Sequence, residues 1–89
     1  RIVRVVCDDL GVSHEELMSS SRRSEVVQAR QIAAFLAREA TGESWQRIAQ
    51  ALGRADHTTV LHAYKQAEQR LRQDTRLRER VNRLRQRVG

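Results

Sequence analysis

Between Leu52 and His57 the chain carries Gly53-Arg54-Ala55-Asp56, a short break that divides two helical patterns. Before it, Ile48, Ala49 and Leu52 share a face. After it, Val60, Ala63, Tyr64, Ala67 and Leu71 recur at spacings of three and four, which places them on one buried stripe. Gly53 stands where a helix ending at Leu52 needs a residue that tolerates a left-handed cap. Asp56 is a good N-cap for the next helix, because its carboxylate can accept the N–H of Thr58 or Thr59. Ser44 caps the first helix, so Ser44 to Leu52, the turn, and Asp56 to about Gln73 read as a helix–turn–helix over residues 44–73. Advancing about 100° per residue puts Thr58, His62 and Lys65 opposite the buried stripe. The outward face thus opens with small hydrogen-bonding side chains and continues with a cation, as a helix entering a DNA major groove requires.

The run Asp56-His57-Thr58-Thr59-Val60-Leu61-His62-Ala63 resembles the signature of the C-terminal DNA-binding domain of the DnaA family, the bacterial chromosomal replication initiators. Arg30-Gln31-Ile32-Ala33 and Glu39-Ala40-Thr41 are similar to the same family at matching distances, and the similarity runs roughly from Val5 to Arg85. The resemblance implies that Asp56, His57 and Thr58 read bases in the major groove while Thr59 supports a backbone contact. Ungapped alignment from Arg30-Gln31 puts the family's minor-groove arginine on Arg22. Arg30, Gln31, Ser44, Gln46 and Lys65 are expected to hold phosphates. Two departures stand out. The family's Gly-Gly-Arg before Asp-His is here Gly53-Arg54-Ala55, so Arg54 either makes an equivalent contact through an adjusted loop or makes none. Gln46 replaces a proline of the preceding helix.

The resemblance further implies DNA origin boxes rich in A·T as the partner, bound by a monomeric domain in the cytoplasm. It implies an upstream AAA+ module that carries ATP and oligomerisation outside this chain, with no cofactor in the domain itself. Two alternatives stay open: a related DNA-binding domain of a transcription regulator or transposition-associated protein, and a DNA-independent helical interaction module.

Composition agrees with an all-α class. Proline is absent, and Phe35, Trp45 and Tyr64 are the only aromatics, so close-packed helices around a core of Ala, Val, Ile and Leu are expected. With the helical segments below, the resemblance implies a compact bundle of about six helices of the Trp-repressor and DnaA C-terminal type. Eighty-nine residues suffice for one domain, 1–89, with one small core. The net charge is +6, with every cation but Lys65 an arginine. Such a surplus favours polyanions, because phosphate neutralisation releases condensed counterions; a GC-rich genome with a soluble surface is the plainer account of it. A chain beginning at Arg1 fits a domain excised from a longer protein. One cysteine forms no internal disulfide, and no apolar run approaches membrane-spanning length or a secretory signal.

The remaining segments follow the same periodicity. Arg1 to Leu10 is a helix with Ile2, Val5, Val6 and Leu10 on one face, widened by Val3 and Cys7 and closed by Gly11; Cys7 is thus a small buried hydrophobe. Ser13-His14-Glu15-Glu16 is a capping box with Glu16 reaching back, opening a helix that ends near Met18. Ser19 to Ser24 is a polar, flexible connector in which Arg22 or Arg23 can enter a narrow A·T-rich minor groove. Ser24 caps Glu25 to Thr41, the central helix, with Ala29, Ile32, Ala33, Leu36, Ala37 and Ala40 inward and Phe35 against the first or last helix. Trp45 seals the edge of the core or abuts the DNA backbone. Thr75 caps a last helix carrying Leu77, Val81, Leu84 and Val88, whose arginines form a solvated face.

Catalysis and metal binding find no support in the spacing. Asp56 and His57 are adjacent on a helix start and point apart, with no nucleophile beside them. His57 and His62 are about 140° apart round the helix and share no metal, unlike an i, i+4 pair. No glycine-rich phosphate loop is present.

Overall fold

The computed structural model describes all residues from Arg1 to Gly89. Six helices follow one another: α1 (Ile2–Leu10), α2 (His14–Met18), α3 (Ser24–Thr41), α4 (Trp45–Ala51), α5 (His57–Gln73) and α6 (Thr75–Val88). There is no strand. None of the helices is long and apolar enough to cross a membrane.

α3 is the axis of the molecule and touches all five other helices. Because it is covered on several sides, its buried set is wider than one stripe: Val26, Ala29, Ile32, Ala33, Ala34, Phe35 and Leu36 are all buried. Ala40, expected inward, is exposed, since the helix runs past its neighbours before ending at Gly42. The alanines keep α3 thin, so helix backbones approach closely where larger side chains would hold them apart. Phe35 stacks on Tyr64 of α5 with ring centroids 5.4 Å apart, and Trp45 meets the same Tyr64 edge-on at 5.1 Å. Arg85 of α6 lies over the Phe35 ring, 5.9 Å from its centroid. The three aromatics thus form one small cluster that joins α3, α4 and α5.

The caps correct several details of the sequence reading. Ser13 accepts the N–H of Glu16 at 3.0 Å as expected, but the Glu16 carboxylate turns to Arg23 and takes two bonds, at 2.7 and 2.9 Å. Ser24 is not the cap of α3; it is already helical, Arg23 is the N-cap, and no side chain caps that end. α6 is capped by Asp74, whose Oδ1 accepts the N–H of Leu77 at 3.0 Å, because the extended Asp74 ends α5 and sits one residue ahead of Thr75. Thr75 accepts a bond from Arg78 instead.

α6 returns to α1 and α3, and several of its arginines are paired. Arg87 reaches Asp8 at 3.0 Å, Arg80 reaches Asp9 at 3.4 Å, and Arg85 grips Glu39 at 2.6 and 2.8 Å. Exposed pairs of this kind add little each. Arg76 and Arg83 remain exposed without such partners, so the expected solvated face is restricted to part of the helix. Cys7 is buried, and that burial pushes its thiol above the ordinary range and away from the reactive thiolate.

Candidate DNA interface

α4 and α5 form the helix–turn–helix, and the turn is built by backbone geometry. Gly53, at φ 68°, donates to Gln50 O at 3.1 Å, while Arg54 N–H donates to Ala49 O at 2.8 Å. These are the two crossed bonds of a Schellman ending, which satisfy carbonyls that α4 leaves unpaired. A Cβ on Gly53 would meet Met18 Cε at 2.9 Å and Met18 O at 3.2 Å, so glycine is required by space as well as by φ. The turn therefore rests directly on the end of α2.

Asp56 opens α5 by accepting the Thr58 N–H at 2.9 Å. That bond holds its carboxyl below the usual carboxylate range, with the nearby His57 adding slightly. An ionised Asp56 accepts only, which suits the exocyclic amino group of a cytosine. Asp56, His57, Thr58 and Thr59 are all exposed, whereas Val60 behind them is 1% exposed. The first turn of α5 thus offers four polar side chains outward on a helix anchored from its inner face. Further along, His62 and Lys65 are exposed on the same helix.

The remaining site residues fall into free and committed groups. Ser44 accepts the N–H of Arg47 at 3.2 Å, and its own hydroxyl proton remains available to donate. Gln31 accepts from Arg70 at 3.2 Å through its carbonyl oxygen, which leaves its amide N–H groups to donate outward. Gln46 is exposed. Trp45 is half-buried against Tyr64, with the Arg38 guanidinium 4.5 Å from its ring centroid; this is the core-sealing position.

Arg30 is largely turned inward. Its guanidinium donates to Leu17 O at 2.9 Å, Ser21 O at 2.6 Å and Ser19 O at 2.6 Å, with a longer bond to Glu16 O at 3.4 Å. Of its five N–H groups, one is left over for a phosphate. Arg54 is similarly engaged, with Leu52 O at 3.0 Å, Met18 O at 2.8 Å and Ser19 O at 2.6 Å. Both arginines end on the carbonyls at the end of α2, which a short helix leaves without backbone partners. Burial, and then the adjacent Arg54, push the Arg30 guanidinium below its ordinary value. No spacing rule relates positions 30 and 54, so the sequence held no signal for this convergence.

The connector expected to be flexible is instead held in place. Ser19 Oγ donates to Glu16 O at 2.6 Å, Ser21 N–H donates to Ser19 Oγ at 3.1 Å, and Arg23 N–H donates to Ser21 Oγ at 3.3 Å. Serines in such a run bond back to their own backbone. Arg23 is tied to Glu16 and lies 3.6 Å from Glu25, whereas Arg22 is exposed and free of ion pairs. Of the two adjacent arginines, one anchors the loop and the other projects from it.

An exposed polar turn opening a helix on an anchored helix–turn–helix, with a cationic loop fastened beside it, defines the class: a helix–turn–helix domain of the DNA-binding type. The match to the family model described as "Bacterial dnaA protein helix-turn-helix" covers residues 1–67. The chain belongs to this family. It is 47% identical over 88 residues to the chromosomal replication initiator protein DnaA of Gloeobacter violaceus, covering 99% of this chain and 19% of that protein. It is 47% identical over 77 residues to the protein of the same name from Thermomicrobium roseum (86% of this chain, 17% of that protein), and 40% identical over 87 residues to that of a Bradyrhizobium (98% and 18%). The chain spans about a fifth of the length of the relatives it matches.

Proposed function

We propose that this domain binds double-stranded DNA sequence-specifically at replication-origin boxes, as the addressing module of a replication initiator. The reading is carried by one observation: Arg54, just ahead of the exposed Asp56-His57-Thr58-Thr59 turn, fastens the neighbouring loop through the Ser19 carbonyl, and that loop carries the unpaired Arg22. In this reading Asp56, His57 and Thr58 meet base edges in the major groove and Arg22 enters the adjacent A·T-rich minor groove, where the negative potential is enhanced. Arg30, Gln31, Ser44, Gln46, Thr59 and Lys65 hold phosphates, which fix the register without choosing the sequence. The domain acts as a monomer on an asymmetric box. ATP binding, oligomerisation and origin unwinding are assigned, from the family resemblance, to modules of a longer cytoplasmic parent protein; the relatives named above are about five times the length of this chain.

The test is a fluorescence-anisotropy titration with an origin-type box and a scrambled duplex of equal composition. Binding to the box is expected to be tighter by about a thousandfold and to weaken steeply with salt. Equal binding to both duplexes overturns the addressing role, and no binding to either points to a protein partner instead.

A further inference from the structure

Arg54 stands one position away from the family's arginine, and its contacts say what it does there. Its Nη2 donates to Met18 O at 2.8 Å and Ser19 O at 2.6 Å, thirty-six and thirty-five residues back along the chain. Gly53, beside it, packs on Met18. Two residues beyond Ser19, the Ser21 carbonyl is held by Arg30 at 2.6 Å, and Arg23 is held by Glu16. Arg22 is therefore pinned on both flanks while its own side chain stays free. We propose that Arg54 is a positioning residue for DNA recognition, holding the Arg22 connector at a fixed offset from the first turn of α5 so that the two grooves are read in register. A guanidinium suits this role, because its Nε donates to Leu52 O at 3.0 Å while its Nη2 holds the carbonyls at the end of α2, and a lysine ammonium, with its donors on one nitrogen, does not bridge the two. This rests on the assignment of the minor groove to Arg22 made above.

The experiment separates the grooves chemically. At each A·T pair of the box in turn, substitution by G·C and by inosine·C gives two duplexes with the same major-groove edge that differ by the guanine amino group in the minor groove. Wild-type protein should prefer the inosine duplex by about tenfold at the pair facing Arg22. Arg54→Ala should lower that ratio to about twofold or less while leaving intact the discrimination between A·T and inosine·C, which differ in the major groove, at the pairs facing α5. Arg54→Lys should behave as Arg54→Ala does. In the free protein, amide exchange at Ser21 and Arg23 should quicken by about tenfold or more in both variants. A uniform loss of affinity that Arg54→Lys restores would mark a direct phosphate contact and overturn the proposal, as would unchanged exchange in the connector. Arg22→Ala is the control: if it leaves the wild-type ratio unaltered, the minor-groove assignment itself fails, and the exchange rates alone then decide whether Arg54 holds the connector.

Discussion

Arg30 on α3 and Arg54 in the turn before α5 both donate to the carbonyl oxygen of Ser19, each at 2.6 Å. Two like charges converge there because the end of α2 supplies enough oxygen to hold both. The consequence is mechanical: α3, the α4–α5 turn and the 19–23 connector meet at one backbone group.

Removal of one of these arginines should therefore cost stability as well as affinity. Arg30→Ala leaves part-buried carbonyls unpaired, at about 1–3 kcal/mol. A fall of about 5–15 °C in melting temperature is expected by calorimetry, together with weaker binding to every duplex. An unchanged melting temperature would reduce Arg30 to a phosphate contact.

Asp56 has two roles that chemistry can separate. Asp56→Asn keeps an oxygen for the Thr58 N–H and should melt close to wild type, while its amide also donates and so should alter discrimination at the base pair it faces. Asp56→Ala loses the cap as well, at about 1 kcal/mol. Paired melting curves and titrations check both; equal melting losses in the two variants would contradict the division.

Gly53→Ala forces a side chain into a left-handed backbone and against Met18. The expected cost is about 1–3 kcal/mol, read from urea unfolding. Met18→Ala should relieve only the side-chain part, because the Met18 carbonyl still lies 3.2 Å from the added carbon.

Acid should loosen the connector. The Arg23 hydrogen bond lowers the Glu16 carboxyl below its ordinary value, and the Thr58 N–H does the same for Asp56. Each group binds fewer protons folded than unfolded, so its contribution is complete above the ordinary carboxylate range of about 4 and disappears as pH falls through the lower folded value. Melting temperature should drop over that interval, and Glu16→Gln should flatten part of the drop. An identical profile in the variant would remove Glu16 from the account.

Thr58→Ala should flatten the preference for the box over a scrambled duplex, by about 1–3 kcal/mol of discrimination, with little change on the scrambled duplex. A uniform loss on both would make Thr58 a backbone contact.

Local patterns in the sequence were sufficient for the helix count, the Gly53 ending, the Asp56 cap and the outward placement of Thr58, His62 and Lys65, because each depends on residues within a turn or two of one another, whereas the outward roles of Asp56, His57 and Thr59 came from the family resemblance. Adjacent choices were less legible: periodicity did not distinguish Asp74 from Thr75, or Arg23 from Ser24, as caps, since the deciding bond depends on where the chain turns. Burial of Ala34, exposure of Ala40, the Phe35–Tyr64 stack and the joining of Arg30 and Arg54 at Ser19 required the tertiary structure. These contacts link positions distant in the chain, and distance in space follows from how helices pack around α3, a property that no local spacing encodes.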